Sequence, residues 1–121
     1  MEQTTMTRRI QELYDAFNRR DLQLTLDRMA DHVKWPRAFK GGYVRGPEAV
    51  RAYWQEQWQE IDAKVEPMSI EQRDDGSFDV EVHQIVRDRA GTVISDSVVH
   101  HVYRFDGDLI LSMDLGGPAT S

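Results

Sequence analysis

Residues 92–115 read TVISDSVVHHVYRFDGDLILSMDL: one long run, a tight Asp106-Gly107-Asp108 turn, and a second run. β-Branched and aromatic residues dominate both runs, and Asp-Gly between two such runs is the strongest short-range hairpin signal. Polar residues interrupt the apolar pattern at Ser97, His100, His101, Ser112 and Asp114. A sheet that only had to pack would not need them. The hairpin is therefore read as one wall of a small-molecule pocket.

Working upstream, Phe78–Arg87 alternates as a strand, with Val80, Val82, Gln84 and Val86 on one face and Glu81, His83 and Ile85 on the other. A two-residue Ala90-Gly91 loop sets Val82 opposite Val99 and Val80 opposite His101. Strand alternation then gathers Ser97, Val99, His101, Tyr103 and Phe105 on one face, the more apolar and hence inner one. His100, Val102 and Arg104 fall outside with His83 and Glu81. The last strand stays open between two parities. A three-residue Asp106–Asp108 loop puts Met113 on the face of His101 and turns Asp114 outward, with an apolar row of Leu109, Leu111, Met113 and Leu115. A two-residue loop brings Asp114 inside.

Further upstream, Val65–Glu71 has strand alternation but carries Pro67, which predicts an edge or a bulge. The period before it is helical. Met6, Ile10, Leu13, Tyr14 and Phe17 make one stripe over residues 4–19. Asp21 reads as the N-cap of a shorter helix carrying Leu22, Leu26 and Met29. Gly46-Pro47-Glu48 opens a third helix, whose face is Val50, Tyr53, Trp54, Gln57, Trp58 and Ile61. Between the second and third helices lie two short strands: one with Val33 and Trp35 on a common face, ended by Pro36, and Tyr43–Arg45 after a turn within Phe39–Arg45. The order predicts an α+β fold in which three helices pack on one curved antiparallel sheet and enclose a cone-shaped pocket.

Composition narrows the function. The 121 residues suit a single domain over 1–121 with its own core. There is no cysteine, which excludes disulfides, zinc-thiolate sites and cysteine nucleophiles and suggests a cytoplasmic setting. The formal net charge is −6 with Lys and Arg scattered, so no nucleic-acid partner is expected, and no apolar run predicts a membrane span. His100-His101 is no metal pair, because adjacent strand residues point opposite ways, and no metal is expected from four scattered histidines. No Gly-rich phosphate loop or nucleotide motif implies a cofactor.

Several stretches together resemble the SnoaL-like and ketosteroid-isomerase-like branch of the nuclear-transport-factor-like superfamily. They are Leu13–Asp21 (LYDAFNRRD), Val33–Pro36 (VKWP), Tyr43–Arg51 (YVRGPEAVR), Tyr103–Gly107 (YRFDG) and Ser112–Leu115 (SMDL). The resemblance implies an α+β cone, a pocket between sheet and helices, and often a homodimer through the outer sheet face. Fold alone does not set function here, since such proteins include isomerases, cyclases, dehydratases and non-catalytic binders. In the ketosteroid isomerases the general-base aspartate corresponds to Trp35, the oxyanion-hole tyrosine to Leu13, one position from Tyr14, and the oxyanion-hole aspartic acid to His101. Their aromatic pair on the third helix corresponds to Tyr53 and Trp54. The acid/base aspartate of polyketide cyclases corresponds to Asp114.

The candidate catalytic residues are thus His101, whose ordinary pKa suits neutral-pH proton transfer, and Asp114. Candidate ligand-binding residues are Tyr14, Trp35, Tyr53, Trp54, Trp58, Val82, Val99, Tyr103 and Met113. Two functions are expected from this set: cofactor-independent acid/base chemistry on a small hydrophobic cyclic compound, or binding of such a compound without chemistry. With Trp35 at the base position, steroid isomerisation is not expected. The apolar outer face, with Val98, Val102 and Ile85 beside His83 and His100, predicts a homodimer.

Overall fold

The computed structural model describes residues 2–37 and 41–116; Phe39, at the start of the expected turn, lies outside them. Three helices are present: α1 (Glu2–Asn18), α2 (Leu22–Asp27) and α3 (Pro47–Glu60). Six strands form one sheet: β1 (Met29–Pro36), β2 (Tyr43–Arg45), β3 (Ile61–Gln72), β4 (Phe78–Asp88), β5 (Val93–Asp106) and β6 (Leu109–Gly116), in the order β2-β1-β6-β5-β4-β3. The four long strands form an antiparallel meander as expected. The short pair joins the same sheet, with β1 parallel to β6, so the sheet is mixed. Two residues change element: Met29 starts β1 instead of ending α2, and Ile61 starts β3 instead of closing the α3 stripe.

Local chemistry sets the boundaries. The Asp21 carboxylate accepts from the Leu24 N–H at 3.2 Å and caps α2. Gly46 caps α3 at φ +89, a conformation that side chains rarely adopt, ahead of Pro47 in the first turn. At the end of α1 the Asn18 amide donates to the Val65 carbonyl at 2.6 Å, and its oxygen accepts from the Val65 N–H at 3.0 Å. This two-way bond ties α1 to β3, and the Arg20 guanidinium adds a bond to the Ala63 carbonyl at 2.9 Å.

The β4–β5 register matches the expectation, with Val82 opposite Val99 and Val80 opposite His101. The turn differs. Arg87 faces Val93 while Val86 faces Ser95, so Ile94 is an extra residue on β5. This bulge returns a longer turn to the register of a two-residue loop. At the next hairpin Asp106 faces Leu109, a two-residue loop, but Leu111 is then extra, and Tyr103 faces Met113. The bulge restores the parity expected of the longer loop: Met113 is inside with Tyr103, and Asp114 is opposite the outer residue Val102. It also corrects the expected apolar row. Ile110 is buried, whereas Leu109 and Leu111 are exposed. A third bulge leaves Met68 unpaired on β3 next to Pro67, on the sheet edge. Met68, Ile94 and Leu111, all exposed, are thus large apolar side chains that the ladder has released.

The helices cover one face of the sheet. Between them, Ile10, Leu13, Tyr14, Val33, Trp35, Val50, Trp54, Val80, Val82, Tyr103, Ile110 and Met113 form the core.

Candidate functional site

The core does not fill the cone completely. A cavity of about 70 Å³ lies between α1, α3 and the inner sheet face. Its lining includes Tyr14, Trp35, Tyr53, Trp54, His101, Tyr103 and Met113 from the expected set. Of the candidate aromatics Trp35, Tyr53, Trp54 and Trp58, the first three thus touch it. Trp35 meets Trp54 edge to face at 5.4 Å, and Phe17 meets Trp54 likewise at 5.1 Å.

Other expected residues lie elsewhere. Val82 has no exposed surface and belongs to the core; Val99, opposite it, is half-buried against that core. Neither lines the cavity. Trp58 stacks against Trp54 at 6.1 Å and carries the Arg20 guanidinium over its ring at 4.6 Å; it is not among the residues that line the cavity. Asp114 is not brought together with His101. The Leu111 bulge turns it outward, where its carboxylate accepts a 2.8 Å hydrogen bond from the Tyr43 hydroxyl. Sequence reasoning missed Leu13, Phe17, Thr25, Pro36, Gln57, Ala63, Val65, Gln84 and Leu115 as lining residues. Gln57 and Gln84 carried a signal: each is an amide on an otherwise apolar inner stripe.

The polar centre of the cavity is a chain of three side chains. The Tyr103 hydroxyl donates to the Tyr14 oxygen at 2.8 Å. The Tyr14 hydroxyl stands 2.6 Å from His101 Nδ1. Burial pushes both tyrosines up, Tyr14 further through Tyr103 beside it, so both keep their protons. Burial pulls His101 down to about 4, and the neighbouring charge of His100 adds to the effect. The imidazole is therefore neutral at pH 7. Since Tyr14 has a proton to give, Nδ1 accepts it, and the His101 proton must sit on Nε2. Nε2 has no protein partner among the described residues. A buried neutral histidine with a spare N–H is a weak base but a good hydrogen-bond donor to a ligand oxygen.

No Asp or Glu among the described residues lines the cavity. Among the described residues no group of three or more His, Cys, Asp or Glu could hold a metal ion, and no helix is long and apolar enough to cross a membrane.

The SnoaL-like domain family matches the chain over residues 10–113. No curated protein matches it in sequence. Solved structures share the fold at low identity. An NTF2-like protein of unknown function from Burkholderia pseudomallei is 22% identical with a TM-score of 0.80, covering 92% of this chain and 88% of that one. A polyketide cyclase, so described provisionally, from Xanthomonas campestris is 17% identical with a TM-score of 0.76, over 95% and 91%. A Mycobacterium tuberculosis protein in complex with estradiol-17β-hemisuccinate is 18% identical with a TM-score of 0.77, over 93% and 92%.

Proposed function

The chain belongs to the SnoaL-like domain family, and on that premise we propose that its cavity takes a small hydrophobic cyclic compound and holds one ligand oxygen on the Nε2–H of His101. The observation that carries this reading is the Tyr103–Tyr14–His101 chain, which fixes the histidine tautomer inside an aromatic cavity. A carbonyl oxygen accepting from Nε2–H would be polarised, and charge developing on it would meet a preorganised donor in a dry site. Chemistry of this kind uses acid/base steps without a cofactor. A carboxylate base is not at hand among the described residues, because Asp114 faces outward and Trp35 lies in the wall, so the protein's part in such a step is the hydrogen bond to the developing oxyanion.

A second reading follows from that same lack of a lining carboxylate: a non-catalytic binder of hydrophobic ligands. The complex of the mycobacterial relative with a steroid ester supports the ligand class shared by both readings. An apolar cavity of roughly 150 Å³ takes one benzene, so ring entry at about 70 Å³ requires wall side chains to move, and tryptophan fluorescence should report it. The test titrates 1-tetralone and its hydrocarbon analogue tetralin against the protein and His101→Ala. The substitution should weaken the ketone about tenfold, the scale of one hydrogen bond, and leave tetralin unchanged. Equal losses for both would remove His101 from the anchor role. Turnover of a cyclic ketone then separates enzyme from binder, and isomerisation of a 5-ene-3-ketosteroid should be absent.

The outer sheet face is proposed as a homodimer surface around the exposed Val98 and half-buried Ile85, in a cytoplasmic protein. Sedimentation at micromolar concentration giving only monomer would end that reading.

A further inference from the structure

A second cavity, of about 320 Å³, lies between the end of α3 and the far part of the same inner sheet face. Tyr53 and Gln57 line both cavities, and the Gln57 amide donates to the Tyr53 hydroxyl at 3.3 Å. The strand register places the cavities in sequence. His101 faces Val80, Gln84 faces Ser97 and Val65, and Val86 faces Ser95 and Ala63. His101, the partner of Val80, lines the inner cavity, Gln84, Val65 and Ala63 line the end of it that approaches the joint, and Val86 and Ser95 line the outer chamber. From Val80 to Val86 the axis runs six residues, or roughly 20 Å of strand. The Tyr53–Gln57 pair thus sits above the joint between two chambers of one cleft.

The chambers differ in kind. The inner one is narrow and ends in the His101 donor. The outer one is wider, floored by Ile61, Val86 and Ile94, with Ser95 beside them and Glu56 and Glu60 at its rim. Among the described residues no Lys or Arg lines it. The β5 bulge supplies one of its lining residues, the extra residue Ile94. At the joint, the Gln84 side chain has no hydrogen-bond partner among the described residues.

We infer that the two cavities form one binding cleft for an elongated neutral ligand, whose oxygen-bearing end reaches His101 and whose apolar body continues past Gln84 into the outer chamber. The inference rests on the reading of the inner cavity above and extends it from a ring to a ring with a tail. Each fully buried methylene is worth roughly 0.8 kcal/mol, about fourfold in affinity, so even partial burial of a six-carbon tail should be large.

The experiment compares 1-tetralone with 6-hexyl-1-tetralone by calorimetry on the full chain and on two variants of the outer chamber. Ser95→Trp fills it, and Ile94→Asp makes its floor polar at an already exposed position. The wild type should bind the hexyl compound at least 30-fold more tightly than 1-tetralone. Both variants should lose most of that gain while binding 1-tetralone within twofold of wild type, with melting temperatures confirming the fold. No gain from the tail, or the same gain in wild type and in both variants, overturns the extended cleft and leaves the inner site standing. Failure of 1-tetralone itself to bind sinks the inner-site reading and this inference with it.

Discussion

His100 and His101 are adjacent in the chain and lie on opposite faces of β5, and their surroundings share almost nothing. On the inner face, His101 is 7% exposed, bonded to a tyrosine and surrounded by aromatic rings. On the outer face, the His100 Nδ1 lies 2.7 Å from the Asp79 carboxylate, with Glu81 at 3.7 Å from its other nitrogen. His83 repeats that pattern with Asp96 at 2.7 Å. Burial alone would raise Asp79, but bonds from His100 and Arg73 outweigh it and hold the carboxyl below its ordinary value. One face removes charge and keeps a donor in reserve; the other gathers charge and pairs it in contact with water. Strand alternation, not residue type, assigns the two histidines their chemistry.

That contrast breaks first at the tryptophans, where the effects are largest. Trp54→Ala should lower stability by about 3–5 kcal/mol, because the ring is buried against Trp35, Phe17 and Trp58. On the outer face, Val98→Ala should stay within about 0.5 kcal/mol in the monomer. Urea midpoints measure both, and similar shifts would erase the distinction between the faces.

Acid comes next. His101 has a folded pKa of about 4 against an ordinary 6.5, so the unfolded chain takes up the proton first as pH falls. The contribution of His101 is complete above pH 6.5 and is lost between about 6.5 and 4, to a total of about 3 kcal/mol. His101→Gln should flatten that part of the stability–pH curve, and His100→Gln, which removes only the smaller, charge-borne part of the shift, should change it less. A slope that follows His100 instead would place the acid response on the outer face.

Tyr14→Phe is smaller. It removes the donor to Nδ1 and leaves a buried acceptor unpaired, at about 1–3 kcal/mol. Nitrogen NMR of the imidazole should show the single Nε2–H tautomer in wild type and a tautomer mixture in the variant. An unchanged spectrum would mean that Tyr14 does not fix the proton. The smallest effect is expected at His83→Ala, within about 0.5 kcal/mol, since its pair with Asp96 is solvated; chemical denaturation measures it.

The sequence made the face of His101 readable because alternation and a short loop are local rules. Val80 opposite His101 is counted from a two-residue loop, and it holds because the Ile94 bulge offsets the longer turn. The orientation of Asp114 is more instructive. Alternation leaves it between two parities and ties the outward one to a three-residue loop. The loop has two residues, and Leu111 supplies the missing one as a bulge. A bulge answers to packing across the sheet, which no count along the chain contains. The parallel β1–β6 pairing and the second chamber were hidden for the same reason: each joins residues far apart in sequence. Trp58 shows the limit of helical spacing. Its position placed it on the face of Trp54, but did not show that Arg20 would lie over its ring.

The bulges at Met68, Ile94 and Leu111 also bear on how this scaffold could change length. Deleting Leu111 would let Ser112 follow Ile110 directly and still face Arg104, so every downstream residue of β6 would keep its partner on β5. The alteration would fall on curvature: without the extra residue the strand twists less, and the mouth of the cone is redrawn while the pairing map stays the same. Single-residue deletions at these three positions are therefore a route to a family of differently shaped receptacles on one unchanged wiring diagram, and each would also remove an apolar side chain from the surface.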